Sequence, residues 1–170
     1  MDKLEAKVME LERRLNKMMV GGRTIATRYI TDAAQVISTA STTIVNYDYN
    51  FYDTHNCVTT GANWKFTAPM TAYYSVKARN MFDASTAWAL TEAASLFLYK
   101  NGAEYSNLAH RAGLDSSGGA VYMSLSGSDD IYLVAGWYID IQIRQTTGGN
   151  LALYNNSAYN YVSIKATRFG

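Results

Sequence analysis

At 170 residues with 48% apolar content, the chain is long enough for one domain that buries its own core, and its single cysteine, Cys57, excludes an internal disulfide. The formal net charge is +1, and ten basic residues after Gly22 are matched by ten acidic ones, which leaves no electrostatic footprint for nucleic acid or an anionic membrane. No run approaches the ~18 apolar residues of a membrane span, and the charged N-terminus does not read as a secretory signal.

Met1, Leu4, Val8, Leu11, Leu15 and Met18 recur at intervals of 3, 4, 3, 4 and 3, so Met1, Val8 and Leu15 fall at a and Leu4, Leu11 and Met18 at d of a heptad. Glu5 and Glu12 then fall at e and Lys7 and Arg14 at g, so Lys7 approaches Glu12 of a parallel neighbour. The pattern predicts a coiled-coil stalk over residues 1–20, with Leu4, Val8, Leu11, Leu15 and Met18 in its seam; the alternative is an amphipathic helix lying on its own domain. A helix this short is marginal alone, so the stalk is expected to set axis and register while the following domain supplies most of the assembly energy. These a and d residues do not choose between two and three strands.

Gly21-Gly22 ends the helical spacing, and residues 23–170 read as one β-domain rich in Tyr, Thr, Val and Ile. Strands are predicted over Thr24–Thr31, Thr42–Tyr49, Ala72–Met81, Ser95–Tyr99 and Ala103–His110. Asn101-Gly102 supplies the positive φ angles of a tight hairpin between the last two. Thr86–Ala94 reads as a loop, and Ser116-Ser117-Gly118-Gly119 as another, leading into strands over Ala120–Leu125 and Ile131–Val134. In Tyr138–Gln145, Ile139, Ile141 and Ile143 face the core while Asp140, Gln142 and Arg144 face water. Leu151–Tyr154 and Tyr161–Ala166 complete an all-β sandwich of short strands without intervening helices.

The run Trp64-Lys65-Phe66-Thr67-Ala68-Pro69-Met70-Thr71-Ala72-Tyr73-Tyr74 resembles the aromatic, Thr, Pro, Tyr-Tyr signature of the globular heads of complement component 1q, which share the tumour-necrosis-factor-like jelly roll. Tyr52-Asp53, Thr60-Gly61, Leu98-Tyr99-Lys100-Asn101-Gly102 and Leu133-Val134-Ala135-Gly136 are similar to further motifs of that family, in order from Val45 to Ile164. Trp137, Ala72 and Tyr161 depart from it, standing where Asp, Gly and a small residue are common. The resemblance implies a jelly-roll sandwich of about ten antiparallel strands, homotrimeric through an apolar face, with exposed loops at its crown and a helical stalk at its base.

His55 and Cys57 lie two residues apart, but no orienting group or nucleophile turn accompanies them. Asp129-Asp130, with Asp53 or Asp115, is a candidate calcium site, since such heads sometimes carry the ion; without regular ligand spacing a solvated turn is the simpler reading, and no cofactor is expected. Asn155-Asn156-Ser157 is a glycosylation acceptor only in a secreted chain. Fourteen tyrosines exceed what this core can bury with satisfied hydroxyls. Tyr47, Tyr49 and Phe51 alternate on one strand, and Tyr52, Trp88, Tyr105, Tyr154 and Tyr159, in or near loops, are candidate ligand-binding residues.

These features lead to an expectation of a non-enzymatic trimeric fibre, spike or capsid-decoration protein of a bacteriophage-like particle. It would be made in a host cytoplasm and displayed on the virion surface. Its stalk would meet other virion proteins and its loops a host-surface polysaccharide or protein. A soluble bacterial lectin or a spore-surface protein with the same head is the alternative. A glycoside hydrolase is a third class, needing two carboxylates about 5–10 Å apart.

Overall fold

The computed structural model describes residues 5, 7, 8, 10, 25–31, 33–84, 88–112 and 119–169. Its strands are β1 (Ala26–Ile30), β2 (Val36–Ile37), β3 (Thr43–Ile44), β4 (Tyr49–Asp53), β5 (Val58–Thr59), β6 (Lys65–Thr67), β7 (Ala72–Phe82), β8 (Ala93–Lys100), β9 (Ala103–Ala112), β10 (Met123–Leu133), β11 (Tyr138–Gln145), β12 (Leu151–Ala152) and β13 (Tyr161–Phe169). Glu5, Lys7, Val8 and Glu10 are helical and exposed. The other seam residues, Met1, Leu4, Leu11, Leu15 and Met18, lie outside the described residues.

Two antiparallel sheets face each other, one ordered β10-β7-β13-β1-β4 and the other β5-β6-β11-β8-β9, with β3 also paired to β11. The period-two pattern that predicted strands is what closes the sandwich. On β7, Ala72, Tyr74, Val76 and Ala78 point inward while Tyr73 and Lys77 point out. Facing them from β11 and β8 are Ile139, Ile141, Ile143, Leu96 and Leu98, all fully buried. Trp64 fills the centre, edge-on to Tyr47 at 5.2 Å and Tyr29 at 6.4 Å. Each large side chain so buried contributes roughly 1.5–3 kcal/mol. The Trp64–Tyr74 run thus sends Trp64, Phe66, Ala68, Ala72 and Tyr74 into the core, and the Tyr74 hydroxyl ties it off by donating to the Met70 carbonyl at 2.7 Å.

The Asn101-Gly102 hairpin forms as expected, with φ of 50° and 81°, and the Asn101 side chain accepts from the Tyr138 amide at 2.9 Å. Three other expectations are corrected. Thr42–Tyr49 is not one strand: Thr43–Ile44 pairs with β11, and Tyr49 opens β4, which pairs with β1 in the other sheet. The chain crosses between sheets here, so Tyr47 is buried while Tyr49 and Phe51 are exposed despite their even spacing. Ala120–Leu125 and Ile131–Val134 are not separated; β10 runs unbroken and pairs with β7 throughout, so Asp129 and Asp130 lie on a strand rather than in a turn. Asp140 faces outward yet is only 3% exposed, enclosed by Asn63, Lys65, Tyr138 and Gln142.

Bulges interrupt the alternation at defined places. Between successive pairs of the β8–β9 ladder, Tyr105 and Leu108 are left over, and Phe51 is left over between β1 and β4. The Leu108 bulge pushes its backbone against β10. A Cβ on Gly127 would stand 2.0 Å from the Leu108 carbonyl oxygen, so no side chain fits where these edge strands meet. Ala26 of β1 pairs with Lys165 of β13, and Phe169 with Ala72. The first and last described strands of the domain therefore begin and end at one end of the sandwich, the base, and the loops around Phe82, Met123 and Tyr161 form the crown.

Candidate functional site

A buried amide shapes the crown. Asn160 is fully buried; its side-chain oxygen accepts from the Met81 amide at 3.0 Å, and its amide nitrogen donates to the carbonyls of Tyr154 and of Asn156, the latter at 3.2 Å. Asn80 joins it to the core, accepting from the Tyr47 hydroxyl at 2.7 Å. This network holds the loop between β12 and β13 in one conformation and with it two of the anticipated residues. Tyr154 and Tyr159 lie 5.9 Å apart, with Tyr122 at 4.9 Å from Tyr154 and the Arg79 guanidinium 4.8 Å over Tyr159. The cluster is a half-exposed aromatic surface with one cation, of a kind that stacks on planar or ring-shaped ligands.

The remaining candidates lie elsewhere. Tyr52 sits on the outer face of the β10-β7-β13-β1-β4 sheet, beside Phe51, with Arg28 held 5.5 Å over Phe51 and 4.7 Å over Tyr161. Tyr105 stands out from β9 near the base, where Lys100 lies 5.7 Å over its ring and 4.5 Å over Trp137. Trp88 is a correction: it is 1% exposed and packs edge-on to Phe82 at 5.6 Å, so it belongs to the core and offers no surface to a ligand. Residues not anticipated include Tyr122, Arg79, Arg28, Tyr73 and Tyr132. Their signal was present for Tyr73, whose inward neighbours at Ala72 and Tyr74 fix it on the outer face.

The His55–Cys57 pair is built as a loop. Asp53 accepts from the amides of His55 at 3.2 Å, Cys57 at 2.8 Å and Val58 at 3.2 Å, and His55 Nδ1 meets the Thr54 hydroxyl at 2.8 Å. Burial, with the Asp53 charge adding to it, pushes the Cys57 thiol up to about 12, far from the thiolate that nucleophilic chemistry requires. Asp53 and the Asp129–Asp130 pair lie on the opposite edge strands of one sheet, and Asp115 lies outside the described residues. Among the described residues no three His, Cys, Asp or Glu side chains gather to hold a metal ion, and no helix is long and apolar enough to cross a membrane.

No protein-family model and no curated sequence matches the chain. Solved structures do. Eiger TNF from S. frugiperda matches with a TM-score of 0.62 at 11% identity, over 87% of this chain and 96% of that one. The head is a jelly roll of the tumour-necrosis-factor type. Murine APRIL matches at 0.58 with 12% identity, over 85% and 100% of the two chains. The globular domain of zebrafish complement 1qA matches at 0.56 with 10% identity, over 87% and 100%. At these identities the likeness is one of fold.

Proposed function

We propose that the chain is a non-enzymatic, homotrimeric adhesive head, carried on a short coiled-coil stalk and displayed as a fibre, spike or decoration on a bacteriophage-like particle. The observation that carries the assembly is the outer face of the β10-β7-β13-β1-β4 sheet. Tyr49, Phe51, Tyr52, Tyr73 and Tyr132 are 38–63% exposed there, flanking a band of polar and charged side chains that includes Lys77, Lys165 and Arg28. A lone sandwich gains nothing by leaving so much aromatic surface in water, whereas neighbouring copies cover it. The tumour-necrosis-factor-like fold supports three copies around one axis, and the heptads over residues 1–20 support a parallel helical bundle without fixing its number. Val8, an a position, is 45% exposed in the single chain, as a seam residue awaiting a partner would be. The only cysteine is buried and unpaired, so the head folds without oxidation, which suits assembly in a reducing cytoplasm. The crown aromatics, at the end opposite the stalk, are then the surface presented to a host.

Light scattering of the purified chain tests the assembly: three times the 18.8 kDa chain mass is expected, and a monomer at micromolar concentration removes the proposal. Antibody labelling of particles then tests display, with outward-projecting knobs as the expected image.

A further inference from the structure

A polar recess opens on the outer face of the second sheet, remote from the crown, because β11 changes partner along its length. Tyr138 and Ile139 pair with β6, whereas Gln142 and Ile143 pair with β3. The change leaves a gap beside Asp140, and a cavity of about 360 Å³ fills it, lined by Asn63, Trp64, Lys65, Tyr138, Asp140 and Gln142 among others. That volume is at the small end of the roughly 300–1,000 Å³ of small-molecule sites. Asp140 and Gln142, two residues apart, share the outward face of β11 and make the floor.

Asp140 is 3% exposed, yet among the described residues its side chain has one hydrogen-bond partner, the Gln142 amide donating to Oδ1 at 2.7 Å. A buried carboxylate normally draws several donors or a counter-charge. Burial raises its affinity for a proton, against a smaller opposing effect of the Gln142 hydrogen bond. Lys65 also borders the recess but directs its ammonium to the Tyr138 ring, 5.2 Å from the centroid. The site therefore offers a strong acceptor at Asp140, a cation at Lys65, and the two-sided amides of Asn63 and Gln142. A simple cation would be repelled by Lys65 and a simple anion by Asp140. Hydroxyl groups, which donate and accept at once, satisfy both sides.

We infer that this recess binds one pyranose unit of a saccharide, with Asp140 at its floor accepting from one ring hydroxyl and Lys65, Asn63 and Gln142 completing the contacts. The site is complete within one chain and lies on the sheet face not used for trimerisation. It rests on the adhesive reading only for its biological setting, since binding to the recess does not require the trimer.

The test is a titration of the ¹⁵N-labelled full chain with methyl glycosides of glucose, galactose, mannose, N-acetylglucosamine and rhamnose, followed by amide shifts. Saturable binding by at least one, with a Kd in the millimolar range typical of single contacts of this size and shifts centred on Tyr138, Asp140 and Gln142, is expected. Asp140→Asn should weaken it by about tenfold or more while keeping the folded spectrum; Lys65→Met, which leaves the floor intact, should weaken it less. Tyr159→Ala should leave it unchanged. Absence of saturation with every glycoside, shifts confined to the crown, or equal competition by methylammonium or acetate overturns the inference. Light scattering on the same sample separates this outcome from failure of the trimer.

Discussion

Gly127→Ala puts the close approach of β9 to β10 to a direct trial. The added Cβ would lie 2.0 Å from the Leu108 carbonyl oxygen and 2.7 Å from its carbon, so backbone must move by about 1 Å or more, because Leu108 has no side-chain rotamer through which to yield. Both partners are constrained: Gly127 is held in the β10–β7 ladder opposite Ala78, and Leu108 is the extra residue of a bulge paired on either side to β8. Overpacking of this kind costs about 1–3 kcal/mol and sometimes more, and with rigid backbone on both sides the upper end, about 3 kcal/mol, is expected. For a domain of this size that lowers Tm by about 6–12 °C. Gly149→Ala is the control, since nothing lies within 4 Å of its added Cβ and the change should fall within about 0.5 kcal/mol of neutral. Both variants are read by thermal unfolding followed by circular dichroism at one protein concentration. A Gly127→Ala protein melting with the control would refute the close approach of β9 to β10.

Three further outcomes follow from the same geometry. Asn160→Ala strips partners from the Met81 amide and the Tyr154 and Asn156 carbonyls and should cost about 2–4 kcal/mol in urea unfolding, with faster amide exchange in residues 154–159. Asp140 is held with a raised pKa by burial, so the folded state takes up its proton more readily than the unfolded one. Its charged form therefore costs stability above that raised pKa, and the cost disappears as pH falls through the normal carboxylate range. Asp140→Asn should be more stable than wild type near pH 7, with the difference closing towards about pH 3; an unchanged gap across that span would contradict the assignment. Cys57, buried and with its thiol pushed up to about 12, should react with a disulfide reagent near pH 8 only slowly in native protein and rapidly in denaturant.

What the sequence disclosed was the part governed by local chemistry. Asn101-Gly102 specifies its own turn, and the run from Trp64 to Tyr74 and the triplet Ile139, Ile141, Ile143 carry a period that only an inward face explains. What it concealed depends on which strand lies alongside. Tyr47 and Tyr49 are two residues apart and look equivalent, but the crossing between sheets buries one and exposes the other. Phe51, Tyr105 and Leu108 fall out of alternation through bulges, which leave no mark in composition. Residues 126–130 read as a break because Ser, Gly and Asp disfavour strands, yet pairing with β7 overrides propensity, and Gly127 is required by its neighbour across the edge. Among the candidate binding residues, Tyr154 and Tyr159 come together through Asn160, a contact invisible in a linear reading. Trp88 was placed at the surface because its segment looks like a loop, whereas the core below had room for an indole. Asp140 has the even spacing of a wet residue, yet it is 3% exposed among Asn63, Lys65, Tyr138 and Gln142, neighbours that only the fold brings around it.

The base of the sandwich has a practical corollary. Because Ala26 and Lys165 are paired neighbours and β13 runs on to Phe169 at that same end, both extremities of the fold leave through one doorway. A carrier polypeptide could therefore host this module as an insertion or as a terminal fusion, with the 153–160 segment pointing away from the junction in either case. That geometry leaves the segment between Leu153 and Asn160 clear of whatever the module is mounted upon.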